Sequence, residues 1–294
     1  MIFLKLVMLL NIFLVISCEE NKAKVEEEQI EETNETNYAS KKYSLVVRDD
    51  FSKFNAANWS KGLTHDADPT VKMIWNKNTG GEHLLNDNYA GYLLDENVYT
   101  KKGHLFLDNK KQVIQGINPF GTFNYSTGWI NSLQKINFNG TQKHTYIQLK
   151  AKFPRGDKVW PAIWLIDDSE NRGWPPEIDI FEGYTNNNNN YLNPKIKSPL
   201  GFWDVVPNFH YKENGKNKST GTTRKYWGFK DPSKHFIKYS CLWTSDLIEI
   251  KYDGHLIKRV TDKGLLKYFT GMKMRVIINN QLNGEPNNGG DHYS

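Results

Sequence analysis

Trp174-Pro-Pro-Glu-Ile-Asp-Ile-Phe-Glu-Gly183 decides how the rest of this chain is read. Glu177, Asp179 and Glu182 alternate there with Ile178, Ile180 and Phe181, so acids crowd one side of a segment whose other side is apolar. Successive side chains of a strand point to opposite faces, which puts Glu177 and Asp179 together. Glu182 lies an odd number of residues beyond both, and in a regular strand it would face the other way. One β-bulge between Asp179 and Glu182 restores the parity and brings all three acids to one surface. Like charges this close raise one another's pKa and oppose folding, a cost tolerated more often at a site than in a scaffold.

Outward from this string the chain reads as short strands separated by Gly, Asn and Asp clusters, with no amphipathic helix longer than two turns. Gly103–Leu107, Gly128–Leu133, Thr145–Phe153, Trp160–Ile166, Phe236–Trp243, Leu247–Tyr252 and Met272–Asn279 join Glu177–Glu182 as strand-length segments that alternate or run apolar. Strands at this density without intervening helices predict a sandwich rather than a βαβ fold. Tyr252-Asp-Gly-His255 has the chemistry of a tight hairpin turn. The five consecutive asparagines Asn186–Asn190 read as a surface loop beside the acidic strand, placed to shape one end of a cleft.

The N-terminal 42 residues have a different character. Residues 1–18 carry Lys5, an apolar run from Leu6 to Ile16, then Ser17-Cys18. That run is shorter than the roughly 20 residues of a spanning helix and reads as a signal peptide. Val15-Ile16-Ser17-Cys18 resembles the lipobox of bacterial lipoproteins, which makes Cys18 the expected lipidation site and the cell envelope, at the outer membrane or cell surface, the expected location. Residues 19–42 hold eight Glu and four Lys, the composition of a disordered, self-repelling tether. The domain is expected to occupy residues 43–294.

Of the chain's 38 Lys+Arg and 33 Asp+Glu, residues 1–42 hold five and eight, which leaves the domain 33 against 25, or +8. A basic surface suits an acidic polysaccharide or an anionic membrane. Neither a nucleic-acid partner nor an oligomer is expected. Cys241 is the one cysteine besides Cys18, set among apolar neighbours as an inert core thiol, so the core must hold without disulfides.

Three readings of the acids are open on residue chemistry alone. Hydrolysis of a glycosidic bond with retention needs two carboxyl groups about 5–5.5 Å apart, one a nucleophile and one a proton donor. Glu177 and Glu182 on a bulged strand can meet that need, and Asp179 between them can orient the nucleophile and keep the two glutamate pKa values apart. A metal site is the second reading, although calcium loops do not space their ligands with Ile, Ile and Phe, and no His lies within the string to suit zinc. A purely structural strand is the third.

Glu177-Ile-Asp-Ile-Phe-Glu182 resembles the active-site signature of glycoside hydrolase family 16 in its bulged, laminarinase- and agarase-like variant. Lys150-Ala-Lys-Phe-Pro-Arg-Gly156 with Trp160-Pro-Ala-Ile-Trp-Leu165 is similar to the family's strand pair leading into that signature. Asp49-Asp-Phe51 with Trp59, and Trp243-Thr-Ser-Asp246 through Tyr252-Asp-Gly254, extend the resemblance in the expected order from about residue 48 to 283. It implies an all-β jelly roll of two curved antiparallel sheets with a concave cleft. On matching positions it makes Glu177 the nucleophile, Asp179 the assisting residue and Glu182 the acid/base of a retaining endo-glycosidase. It implies no organic cofactor, and a structural calcium in some members.

Two departures stand out. Gln148 and Lys150 replace the Glu and Arg usual in the strand before Trp160, with an altered support of the cleft as the expected effect. Met274–Asn280 resembles the penultimate core strand, and no returning strand is visible after it. An open sheet edge is then expected, unless the segment near Tyr43–Val47 covers it.

Aromatic rings are natural sugar platforms. Trp129, Trp160, Trp174, Trp203 and Trp227 are candidates for the cleft, whereas Trp164 reads as core. His210 is expected on the strand beside the acids, hydrogen-bonded to Glu182 or the substrate. The expected partner is a β-linked polysaccharide, first a β-1,3-glucan of the laminarin type. A red-algal galactan (agar, porphyran or carrageenan) is the alternative, favoured by the +8 charge and an unusual Gly201–Gly221 loop. A non-catalytic carbohydrate-binding protein would be expected to lose a glutamate, and this chain keeps both.

Overall fold

Apolar residues at every second position need a second layer to cover them, and this chain supplies it with another sheet. The computed structural model describes residues 45, 47–62, 90–117, 120–133, 136–137, 144–154, 156, 158–167, 174–183, 202–205, 207–221, 223–226, 230 and 232–282. The described residues all fall within the compact unit Tyr43–Ser294. The signal segment with Cys18, the tether, Asn186–Asn190 and Trp227 lie outside the described residues.

In chain order the strands are β1 (Trp59–Lys61), β2 (Gly91–Leu93), β3 (Val98–Lys101), β4 (His104–Leu107), β5 (Lys110–Ile117) and β6 (Phe120–Ser132). There follow β7 (Ile136–Asn137), β8 (His144–Ala151), β9 (Val159–Asp167), β10 (Glu177–Glu182), β11 (Phe202–Val205) and β12 (Asn208–Glu213). The last six are β13 (Lys216–Ser219), β14 (Thr223–Tyr226), β15 (Ile237–Thr244), β16 (Ile248–Tyr252), β17 (His255–Val260) and β18 (Lys273–Leu282). Every segment picked out from the sequence coincides with a strand. Among the described residues the one α-helix is the four-residue turn α1 (Lys263–Leu266), capped by Asp262, whose side chain accepts from the Leu265 N–H.

The larger sheet runs β1-β6-β18-β9-β10-β12-β13 and the second runs β17-β16-β15-β8. Neighbours are antiparallel throughout both paths, and β2 adds to β6 in parallel. This is the all-β sandwich that strand density predicted. The core between the sheets is built row by row. Ile130, Ile278, Ile163 and Phe181 stand opposite one another across β6, β18, β9 and β10 on the inner face. Phe181 stacks on Phe153 at 4.1 Å and meets Tyr239 of β15 at 5.1 Å, which ties the acidic strand to the facing sheet. Cys241 is fully buried in this core, and burial pushes its thiol pKa up.

Three expectations change here. β18 lies inside its sheet, paired with β9 over Met274–Leu282 and with β6 at Ile277–Asn280, so the last described strand is not an open edge. Leu45 and Val47 are described outside any strand. Gln148 and Lys150 sit on β8 in the second sheet, exposed on its outer side, so they cannot prop the cleft. The stretch 201–221 is mostly strand, since β11 and the β12–β13 hairpin fall within it.

Candidate active site

β10 is flanked by β9 on one side and β12 on the other, and its register breaks once, between Asp179 and Phe181. That break is the bulge that parity demanded. Ile180 is the extra residue, and Ile178, Ile180 and Phe181 are all fully buried in the inter-sheet core. The three acids therefore share the opposite face. Glu177 stands across from Ile166 and His210, Asp179 from Trp164 and Asn208, and Glu182 from Ala162.

Each glutamate is held by an indole. Trp160 Nε1 donates to Glu182 Oε1 at 2.8 Å, and Trp174 Nε1 donates to Glu177 Oε2 at 3.0 Å. His210 Nε2 lies 3.5 Å from Glu177 Oε1 and 3.3 Å from Asp179 Oδ2. His210 is thus on the neighbouring strand as expected, but its close contacts are Glu177 and Asp179, not Glu182. The difference is one of register: His210 pairs with Glu177, at the far end of β10 from Glu182.

Burial raises all three carboxyl pKa values. Glu177 is pushed well above the ordinary range by burial first and then by the Asp179 charge. Asp179 is raised by burial and by Glu182, against a pull downward from Glu177 and Lys258. Glu182 is raised by burial while the Trp160 hydrogen bond draws it back. Acids packed in this way hold protons at a pH where free carboxylates have lost them.

The tryptophans divide. Trp174 is 40% exposed, with its ring 5.5 Å from that of His210. Trp160 is half-buried and touches Glu182. Trp129 is a correction. The row Trp129–Asn279–Ala162–Glu182 puts it on the acids' face, but it is 2% exposed and packs edge-on to Trp164 at 5.8 Å. Tyr92, Leu93 and Leu94 belong to the same cluster, so Trp129 forms the floor and not a platform. Trp164 is buried as expected, yet in this smaller cluster on the acids' face, with Nε1 donating to Asn279 Oδ1 at 2.8 Å. Trp203 lies on β11, and its side chain is outside the described residues.

The fold supplies a histidine that the acidic string itself lacks. Ligand atoms of Glu177, Asp179 and His210 lie within 4.8 Å of one another. His210 Nε2 also lies 3.1 Å from Asn208 Nδ2. Sequence reasoning missed Asn208, Thr220 and Lys258, which stand behind His210. Their contacts join three elements, and no local pattern announces them.

Comparison with known proteins agrees with this geometry. The family described as glycosyl hydrolases family 16 matches residues 86–293. The chain is 27% identical over 174 residues to glucan endo-1,3-beta-glucosidase A1 of Niallia circulans, covering 57% of this chain and 23% of that protein. It is 23% identical over 224 residues to endo-1,3-1,4-beta-glycanase EglC of Rhizobium meliloti (strain 1021), covering 74% and 43%. The chain thus spans less than half the length of either relative. In fold it is similar to LamAcat from Zobellia galactanivorans, with a TM-score of 0.62, 18% identity and coverage of 85% and 93%. The paired glutamates, the bulge between them and the match over most of the domain lead to one assignment: the chain belongs to glycosyl hydrolase family 16.

Proposed function

We propose that this protein is a retaining endo-glycosidase that cuts internal β-linkages of a polysaccharide, with a β-1,3-glucan of the laminarin type as substrate. The observation that carries the reading is the pair Glu177 and Glu182 on one face of a bulged strand, Asp179 between them, each glutamate oriented by an indole N–H. Glu177 attacks the anomeric carbon and forms a glycosyl ester as Glu182 gives its proton to the leaving oxygen. Glu182 then takes a proton from water, which attacks the ester and restores Glu177. Asp179 keeps the two glutamates in different protonation states. Trp174 offers its exposed ring to the sugar chain beside Glu177. The names of the glucanase relatives favour a glucan. Retention of both glutamates favours catalysis over binding alone.

A galactan is the second reading, and Lys212 is the observation behind it. It shares the β12 face of His210, two residues on, and is exposed. A cation there suits an acidic sugar substituent. The N-terminal sequence adds a location: lipidation at Cys18 would hold the enzyme on the cell envelope, and loss of membrane partitioning in a Cys18→Ser variant checks it.

The test of function is incubation of the folded protein with laminarin, lichenan, agarose, porphyran and carrageenans, scoring new reducing ends. Release from laminarin, absent in Glu177→Gln and Glu182→Gln, is expected. Release from a sulfated galactan alone moves the assignment to the second reading. Silence on every polymer from protein with native circular dichroism sinks the enzyme reading.

A further inference from the structure

A polar chain runs from the facing sheet to the back of His210. Lys258 sits on β17 opposite Ile250, a core position, so its side chain enters the space between the sheets. Its ammonium passes 5.2 Å from the Phe209 ring. There Nζ uses all three of its N–H donors, to Pro207 O at 3.0 Å, Gly221 O at 2.8 Å and Thr220 Oγ1 at 2.7 Å. Thr220 Oγ1 also accepts from the Phe209 N–H at 3.2 Å, and its own hydrogen goes to Asn208 Oδ1 at 3.1 Å.

The direction of every link follows from donors that cannot reverse. A lysine ammonium and a backbone N–H only donate. The Phe209 N–H donates to Asn208 Oδ1 at 3.0 Å as well, so two donors converge on that oxygen. The Asn208 amide is thereby fixed with Nδ2 turned toward His210 Nε2, 3.1 Å away. An NH2 group facing a ring nitrogen needs a lone pair there.

We propose that Lys258, Thr220 and Asn208 form a one-way hydrogen-bond chain that sets the His210 tautomer, with its proton on Nδ1 and its Nε2 accepting from Asn208, so that Nε2 has no hydrogen to give to Glu177 and Asp179, which makes Lys258 a positioning residue for the carboxylates. The proposal rests on the glycosidase reading for its consequence, not for its geometry. A lone pair 3.3 Å from Asp179 Oδ2 and 3.5 Å from Glu177 Oε1 repels two full carboxylates. One proton shared between Glu177 and Asp179 relieves this, as in like-charged dyads. With that proton on Asp179, Glu177 is free to attack. Among the described residues the other ionisable groups around the cluster are Glu182 on β10, Lys212 on the His210 face of β12, Tyr252 from β16, whose hydroxyl donates to Ile180 O at 2.7 Å, and Lys258 itself, which burial brings down to about 8.

The test is nitrogen-15 NMR of the folded, histidine-labelled protein, with the His210 signals assigned through His210→Gln. Wild type is expected to show the Nδ1–H tautomer. Thr220→Val, which keeps both Lys258–carbonyl bonds, is expected to leave Asn208 Oδ1 with the Phe209 N–H alone and so to weaken that preference. Its kcat/KM falls roughly fivefold, the scale of one lost polar link, and the acid limb of its pH profile moves down as an Nε2–H begins to stabilise ionised Glu177. Thr220→Ser restores both. Lys258→Met is expected to behave as Thr220→Val does. An Nε2–H tautomer in wild type overturns the proposal, as does Thr220→Val with unchanged tautomer and pH profile. An unchanged tautomer in Lys258→Met removes Lys258 from the chain. An Nδ1–H signal from a protein inactive on every polysaccharide would uphold the chain and reject the glycosidase reading.

Discussion

Glu182 is set by two opposing influences, burial that raises its pKa and the Trp160 hydrogen bond that lowers it. Trp160→Phe removes the second and keeps the ring. As the proposed acid, Glu182 would have to be protonated to act, so the alkaline limb of kcat/KM is expected to move to higher pH. Activity at the optimum should drop roughly fivefold, about one hydrogen bond's worth. A pH–rate profile checks this, and an unmoved limb would separate Trp160 from the acid. Glu177, Asp179 and Glu182 were legible in sequence because parity along a strand is a local property. Trp129 was not. Its face is given by parity, but its exposure depends on Tyr92, Leu93 and Leu94, which pack with it from far along the chain. The direction of His210 toward Glu177 rather than Glu182 is likewise a matter of cross-strand register, which one strand's pattern does not reveal.

Among the elements, β10 carries the site because Ile180 bulges, and the bulge was legible from the odd spacing of Glu182. The β16–β17 hairpin was legible too, since Asp253 and Gly254 take the positive φ values of 45° and 83° that a type I′ turn requires. β13 was read as loop because Lys216–Ser219 is polar and exposed throughout, and an edge strand needs no apolar face. β6 depends on a close approach that sequence does not announce. A Cβ on Gly128 would stand 2.7 Å from Asn97 O and 2.8 Å from Leu107 Cα, both backbone atoms. Gly128→Ala is therefore expected to cost about 1–3 kcal/mol. Urea denaturation measures it, and a neutral result would mean the segment around Asn97 shifts freely.

The whole molecule bears a cost for its site. Carboxyl groups with raised pKa hold protons in the folded state that the unfolded chain has released, so stability falls as pH rises from the ordinary glutamate value of 4.5 through the raised one. Glu177→Gln mimics the protonated form and keeps an oxygen for Trp174. It is expected to melt higher than wild type at pH 7, by about 2–4 °C per kcal/mol at this size, with the gap closing toward pH 4.5. A gap of constant size across that range would show that burial does not raise the Glu177 pKa. The sandwich itself was legible from strand density and turn chemistry, whereas the central place of β18 depends on pairings between strands far apart in sequence. A nucleophilic Glu177 implies double displacement, and the anomer released first reports on it. Proton NMR during early cleavage of laminarin by the wild-type protein is predicted to show the β-anomer of the new reducing end accumulating before mutarotation. Initial release of the α-anomer would mean single displacement by water and would contradict Glu177 as the nucleophile.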